Sequence, residues 1–205
     1  MANHSHRPAL FRNLVPLVLA SGSPRRRDLL AALGLSFEVV PAGISEEISG
    51  ETSALRTVTE LSRRKARAVA ERFPERAILA ADTVVVCEGR ILGKPRHLAQ
   101  AREMLSLLSG RWHEVYTGVA LRYREREDVF FTCTRVRFRN LSPEEIEAYL
   151  ATGEPLGKAG AYAIQGLASA LVVEVQGSVT GVIGLPLAET VELLLQRGII
   201  APGSG

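Results

Sequence analysis

Aromatic residues are scarce in this chain, at 5% of its 205 positions, and lysine plus arginine barely outnumber acids, 25 to 22 for a net charge of +3. A nucleic-acid surface needs stacking platforms and a concentrated basic stripe. Here the basic residues are spread over the whole chain, so nucleic acid is not an expected partner. Cysteine is nearly absent: Cys87 and Cys133 each sit in an apolar strand-like run, and neither has a CxxC partner. That excludes a disulfide framework and predicts two buried thiols in a reducing cytoplasm. No apolar run approaches the roughly 20 residues that span a bilayer, so no membrane is expected. The run Leu14 to Ala20 follows Arg7 and Arg12, but Pro16 interrupts it and an arginine cluster follows where a cleavage site would be, so it does not read as a secretory signal. GxGxxG and GxxxxGKS/T are both missing. No histidine is placed to activate a serine: His97 and His113 stand in plain contexts, and His4 and His6 lie in a polar leading stretch. A covalent serine mechanism is therefore not expected.

What remains is 46% apolar and 23% charged, the balance of an ordinary folded protein with room for one large domain or two small lobes. The chain is organised around Leu17-Val-Leu-Ala-Ser-Gly-Ser-Pro-Arg-Arg-Arg27. This reads as a buried strand, a turn with Ser23 as cap and Pro24 in the first helical turn, and a helix. A helix start offers free N–H groups and partial positive charge, and arginine adds a fork that fits phosphate oxygens. The stretch is an anion cradle at a strand end.

The pattern then predicts a strand at Phe37–Val40, an acidic turn-rich segment with Glu46 and Glu47, and a long helix from about Thr52 to Phe73. Lys65 falls four residues after Leu61 and four before Val69, on the apolar stripe. It either snorkels past the edge or faces a wet anionic cleft, and position alone does not choose. Ala77–Cys87 has the near-continuous apolar character of a strand buried on both faces. Further helices are predicted near Leu98–Leu108, after the capping box Ser142-Pro-Glu-Glu145, and over Pro186–Gln196; strands are predicted at Trp112–Tyr123, Val129–Phe138, Leu171–Val175 and Val182–Ile183. The fold class is α/β with a mixed sheet. Residues 1–16 and 200–205 read as flexible tails around a single domain over 17–199.

Asp82 interrupts the central strand. A carboxylate there costs several kcal/mol unless it is paired, metal-bound or protonated. Glu46 is a candidate to share a divalent ion with it. Arg25, Arg26, Lys65, Lys94 and Lys158 each sit in a turn, a helix start or an apolar face. Together they suit a polyphosphate, which needs several cations and usually a bridging metal. Ser21 is a phosphate donor on this reading, and not a nucleophile.

These motifs together resemble the Maf family of nucleoside triphosphate pyrophosphatases. The resemblance rests on Leu19-Ala-Ser-Gly-Ser-Pro-Arg-Arg26, Ser62-Arg-Arg-Lys-Ala66, Ala81-Asp-Thr-Val84, Gly93-Lys-Pro95, Leu108-Ser-Gly110, Lys158-Ala-Gly-Ala-Tyr162, Ile164-Gln-Gly166 and Val182-Ile-Gly-Leu-Pro186, in that order. It implies a mixed twisted sheet flanked by helices, of the Maf or inosine triphosphatase type, with two lobes around a deep cleft, and commonly a homodimer. It implies a divalent cation (Mg, Mn or Co) and hydrolysis to the monophosphate and pyrophosphate. Asp82 matches the proton acceptor, Glu46 the loop acid, and Arg26, Lys65, Lys94 and Lys158 the polyphosphate-side cations. Arg25, Thr83 and Gln165 resemble the subgroup acting on dTTP and UTP; tryptophan and glutamate in place of Arg25 and Gln165 would point to 7-methyl-GTP. A glutamine can answer the carbonyl and N–H of a pyrimidine edge. The alternatives are a pyrophosphatase for other modified nucleotides and a nucleotide-binding regulator of cell division. The chain departs from the family pattern at Ser45, Gly157, Ala163 and Val179.

Overall fold

The computed structural model describes residues 9–46 and 53–203. In chain order the elements are β1 (Phe11–Asn13), β2 (Leu17–Leu19), α1 (Pro24–Ala31), β3 (Phe37–Val39), α2 (Ala54–Ala70), β4 (Ala77–Cys87), β5 (Arg90–Leu92), α3 (Leu98–Leu108), β6 (Trp112–Tyr123), β7 (Arg126–Phe138), α4 (Pro143–Ala151), β8 (Val172–Gln176), α5 (Val179–Ile183), α6 (Leu187–Gln196) and β9 (Ile200–Pro202). Two short 3-10 turns, Ala159–Ala161 and Leu167–Leu171, lie between α4 and β8. The main sheet has the order β3-β2-β4-β6-β7-β8, with β5 on the far half of β4. It is mixed: β2 runs parallel to β3 and β4, and the later pairs are antiparallel.

Strand β4 serves three cores in succession. Leu79 and Ala81 pack with Leu30 of α1 and Leu194 of α6. Ile78 and Ala80, on the opposite face, pack with Ala66 and Val69 of α2. Further on, Val85 and Cys87 join Leu105 and Leu108 of α3 and Ile146 and Leu150 of α4. The two lobes of the fold are these groups of cores, and Asp82 and Thr83 lie where the strand passes from one to the other. The strand edge is open at the same place. β2 pairs with β4 over Ala77–Leu79 and β5 pairs with it over Val85–Cys87, so among the described residues no strand covers that edge between them. The opening between the lobes is the cleft.

Several expectations are corrected. The segments read as tails contribute a strand each: Phe11–Asn13 pairs with Ile200–Pro202, and Phe11 packs against the core that holds Ile200. Ile200 is buried and Phe11 partly so, which anchors these two short strands. Val182–Ile183 belongs to helix α5, not to a strand, because Ser178 caps it by accepting from the Gly181 amide. Cys133 is exposed. It falls on the outward register of β7, where Thr134, Val136 and Phe138 point inward. The hairpin turn before β7 is tighter than read, since Tyr123 already pairs with Arg126. His4, His6 and Glu47 lie outside the described residues.

Candidate active site

The cleft has a volume of about 650 Å³ and is lined by the β2–α1 turn, the loop after β3, mid-β4, and the loops bearing Lys94 and Lys158. Its floor comes from the alternation of β4. Asp82 continues the face of Ile78 and Ala80, toward α2, while Thr83 continues the face of Leu79 and Ala81, toward α1. A buried unpaired carboxylate costs more than the roughly 1.5–3 kcal/mol that a buried leucine returns, so Asp82 needs a partner. Lys65 is that partner, with its Nζ 2.6 Å from Asp82 Oδ1 and 2.7 Å from Glu46 Oε1. Of the two readings left open for Lys65, the anionic cleft is the one found; the residue is 8% exposed. The helix comes this close because Gly118 lies opposite Asp82 on β6, and a Cβ there would collide with the Val58 carbonyl of α2.

Lys94 reaches the other oxygen of Glu46 at 2.9 Å. Burial raises the Glu46 pKa, but the hydrogen bonds and charges of Lys65 and Lys94 outweigh it and hold the carboxyl down to about 2. The Gly160 amide donates to the Gly93 carbonyl at 3.1 Å, tying the loops that carry Lys94 and Lys158 together.

Arg26 is fixed by three bonds, two of them to elements distant in sequence. Nε donates to the Gly184 carbonyl at 2.7 Å, one terminal nitrogen to Ser21 Oγ at 3.2 Å and the other to Thr83 Oγ1 at 3.1 Å. Gly184 has φ +125°, a conformation that a side chain would strain, and this aims its carbonyl at the guanidinium. Thr83 is held in turn by Thr117 at 2.9 Å, and Thr117 donates to the Gly181 carbonyl at 2.8 Å. Ser23 occupies the cap position of α1, but its side chain makes no cap bond there, which corrects the expectation. Ser21 accepts from the Ser23 amide instead. Arg27 is exposed and pairs with Asp28 at 2.8 Å.

Arg25 and Lys158 line the cleft at its other end. Burial lowers the pKa of each, and the negative charge of Glu154 opposes it in both. Gln165 is exposed and does not line the cleft, which departs from its expected place beside the other site residues. The turn that follows it closes against Glu154 through the Leu167 and Ala168 amides. The remaining sequence candidates, Ser21, Arg25, Arg26, Glu46, Lys65, Asp82, Thr83, Lys94 and Lys158, all line this one cleft.

Tyr162 also lines the cleft and was not among the candidates. Its hydroxyl meets His113 Nε2 at 2.9 Å, and His113, Phe138 and Tyr162 stack edge to face. Burial lowers the His113 pKa to about 4, so this pair is a neutral strut under the Lys158 loop. An isolated histidine in a strand gives no sign of such a partner. Gly184 and Thr117 were likewise unreadable, since each acts through a contact distant in sequence.

The donor set suits a hard divalent cation. Glu46 and Asp82 present carboxylate oxygens to a common point, now spanned by the Lys65 ammonium. Among the described residues there is no group of three or more histidine, cysteine or acidic side chains. Phosphate and water oxygens would have to complete such an ion's shell. Five cations against two carboxylates, facing a helix start, form a receptor for a polyanion.

Fold and cleft together define an α/β protein built to hold a polyphosphate between two lobes. The chain belongs to the Maf family: the Maf-like protein family matches residues 16–197. It is similar to a dTTP/UTP pyrophosphatase of Moorella thermoacetica, at 52% identity over 89% of this chain and 95% of that one. A dTTP/UTP pyrophosphatase of Bacillus cereus is 47% identical over 91% and 92% of the two chains, and one of Methylobacillus flagellatus 44% over 94% and 98%.

Proposed function

We propose that this chain hydrolyses dTTP and UTP to the nucleoside monophosphate and pyrophosphate, clearing unwanted or modified nucleotides. The observation that carries the reading is the Asp82–Lys65–Glu46 chain at the floor of a cation-lined cleft. The names and coverage of the relatives support the substrate class. In this mechanism Asp82 orients a water and accepts its proton as the water oxygen attacks the α-phosphorus. The bond from that phosphorus to the bridging oxygen breaks, and pyrophosphate leaves. Arg26, Lys65, Lys94 and Lys158 stabilise the charge that builds on the departing group. Glu46 and Asp82 would hold a divalent cation (Mg, Mn or Co), which supplies charge neutralisation across phosphate oxygens. Arg25, Thr83 and Gln165 select the base. Lys65 gives buried Asp82 its counter-charge and keeps the carboxylate facing the cleft.

The same reading includes a homodimer, a cytoplasmic location and no nucleic-acid partner. The homodimer and the location follow from the family resemblance, and the spread of basic residues over the whole chain argues against a nucleic-acid partner; among the described residues no helix is long and apolar enough to cross a membrane.

The test is incubation with dTTP, UTP and each metal, followed by product analysis. Monophosphate plus pyrophosphate is expected, and Asp82→Asn is expected to lower kcat about 10²–10⁴-fold, the range for a lost general base. Diphosphate plus orthophosphate would sink the reaction, and full turnover in Asp82→Asn would remove the base.

A further inference from the structure

Glu154 is a short acidic step beyond α4, and neither the motifs nor the reaction above uses it. Its carboxylate accepts three hydrogen bonds: from the Tyr149 hydroxyl at 2.8 Å, the Leu167 amide at 3.0 Å and the Ala168 amide at 3.2 Å. The two amides open the 3-10 turn Leu167–Leu171, whose cap position, Gly166, offers no side chain of its own. Glu154 thus caps that turn from a distance of 13 residues in sequence. The fit is tight: a Cβ on Gly166 would run into the carboxylate. Gln165 is the next residue back, so Glu154 holds the turn that starts two residues after Gln165. Glu154 itself is held by a bond from its own amide to Thr152 Oγ1 at 3.1 Å, and Thr152 donates to the Tyr149 carbonyl at 2.7 Å.

One acid thus ties the end of α4, through Tyr149, to the 3-10 turn that follows Gln165, through the Leu167 and Ala168 amides. An exposed charge pair alone is worth little. A carboxylate held by three donors is different, because the donors are left unanswered when it is removed.

We infer that Glu154 is a positioning residue for nucleobase selection, setting the place of Gln165 through the backbone of the turn that follows it. This rests on the proposed role of Gln165 toward the base. Glu154 touches no reacting atom, so kcat for UTP should hold while the choice between bases relaxes.

The experiment measures kcat/KM for UTP against CTP and GTP in wild type, Glu154→Ala, Glu154→Gln, Gln165→Ala and Arg25→Ala, with kcat and Tm recorded for each. Glu154→Ala is expected to lose about tenfold in UTP discrimination, the scale of an unanswered polar group in a recognition site, with kcat for UTP within about threefold of wild type. Glu154→Gln keeps an acceptor oxygen for the amides but loses the charge, and should fall between. A purely structural role would lower Tm and depress all nucleotides alike, leaving the ratio unmoved. If Gln165→Ala loses discrimination and both Glu154 variants keep it, the inference is overturned and the base-selection reading stands. If Gln165→Ala and Arg25→Ala both keep it, that reading fails and the inference falls with it. Should Glu154→Ala not fold, an unchanged ratio in Glu154→Gln is the overturning result.

Discussion

The two ends of the cleft are built differently. At the inner end, Arg26 makes three hydrogen bonds to Gly184, Ser21 and Thr83, and Lys65 spans Asp82 and Glu46. Each side chain there is fixed by partners from other elements. At the outer end Arg25 is half-buried, Lys158 donates to the nearby Leu156 carbonyl, and Gln165 lies exposed. The inner end has the preorganisation that charge development at phosphorus demands. The side chains at the outer end have fewer partners, and Gln165 is exposed. On the proposed function, Arg25 and Gln165 would select the base from this less fixed end, with Thr83 reaching in from the inner end and Lys158 serving the polyphosphate.

That contrast gives an ordered set of expectations. The larger effect belongs to the inner end: Arg26→Ala should lower kcat by about 10²-fold or more, the scale of a lost preorganised donor. Arg25→Ala should change kcat little and instead shift kcat/KM between bases, by about tenfold or less. Steady-state kinetics with UTP and CTP on both variants checks the pair. A large kcat loss at Arg25 with little at Arg26 would break the comparison.

The smallest effect is on stability. The Glu46 carboxyl is held down to about 2 from an ordinary 4.5. Between those values the unfolded chain binds more protons than the folded one, so stability rises with pH across the window. The contribution is whole above about pH 4.5 and fades as pH falls toward 2. Glu46 is half open to solvent, so the effect is modest. Melting curves should show wild type more stable than Glu46→Gln at pH 6, with the gap closing in acid. A gap that widens in acid would contradict the Lys65–Glu46–Lys94 pairing.

Legibility in the sequence follows the range of the contacts involved. Asp82 stood out because an acid in an apolar strand has few physical outcomes, and Lys65 because it broke an apolar helical stripe. Both are local signals, and the structure joins them. Glu46 carried only the weak signal of an acidic loop, which made it a candidate to share an ion with Asp82, and the family resemblance added to that. The strand pair Phe11–Asn13 with Ile200–Pro202 was hidden because three-residue strands from opposite ends are specified by packing, not by pattern. Val182–Ile183 was misread because two apolar residues fit a strand and a short helix equally. Glu154 gives no local signal, since its backbone partners lie 13 and 14 residues away.

The central claim is that water attacks the α-phosphorus with Asp82 as base. Hydrolysis of dTTP in water enriched in oxygen-18, followed by mass analysis of both products, tests it most directly. The label is expected in dTMP, with pyrophosphate unlabelled, and turnover falling about 10²–10⁴-fold in Asp82→Asn. Label in pyrophosphate would place the attack on the β-phosphorus and contradict the mechanism.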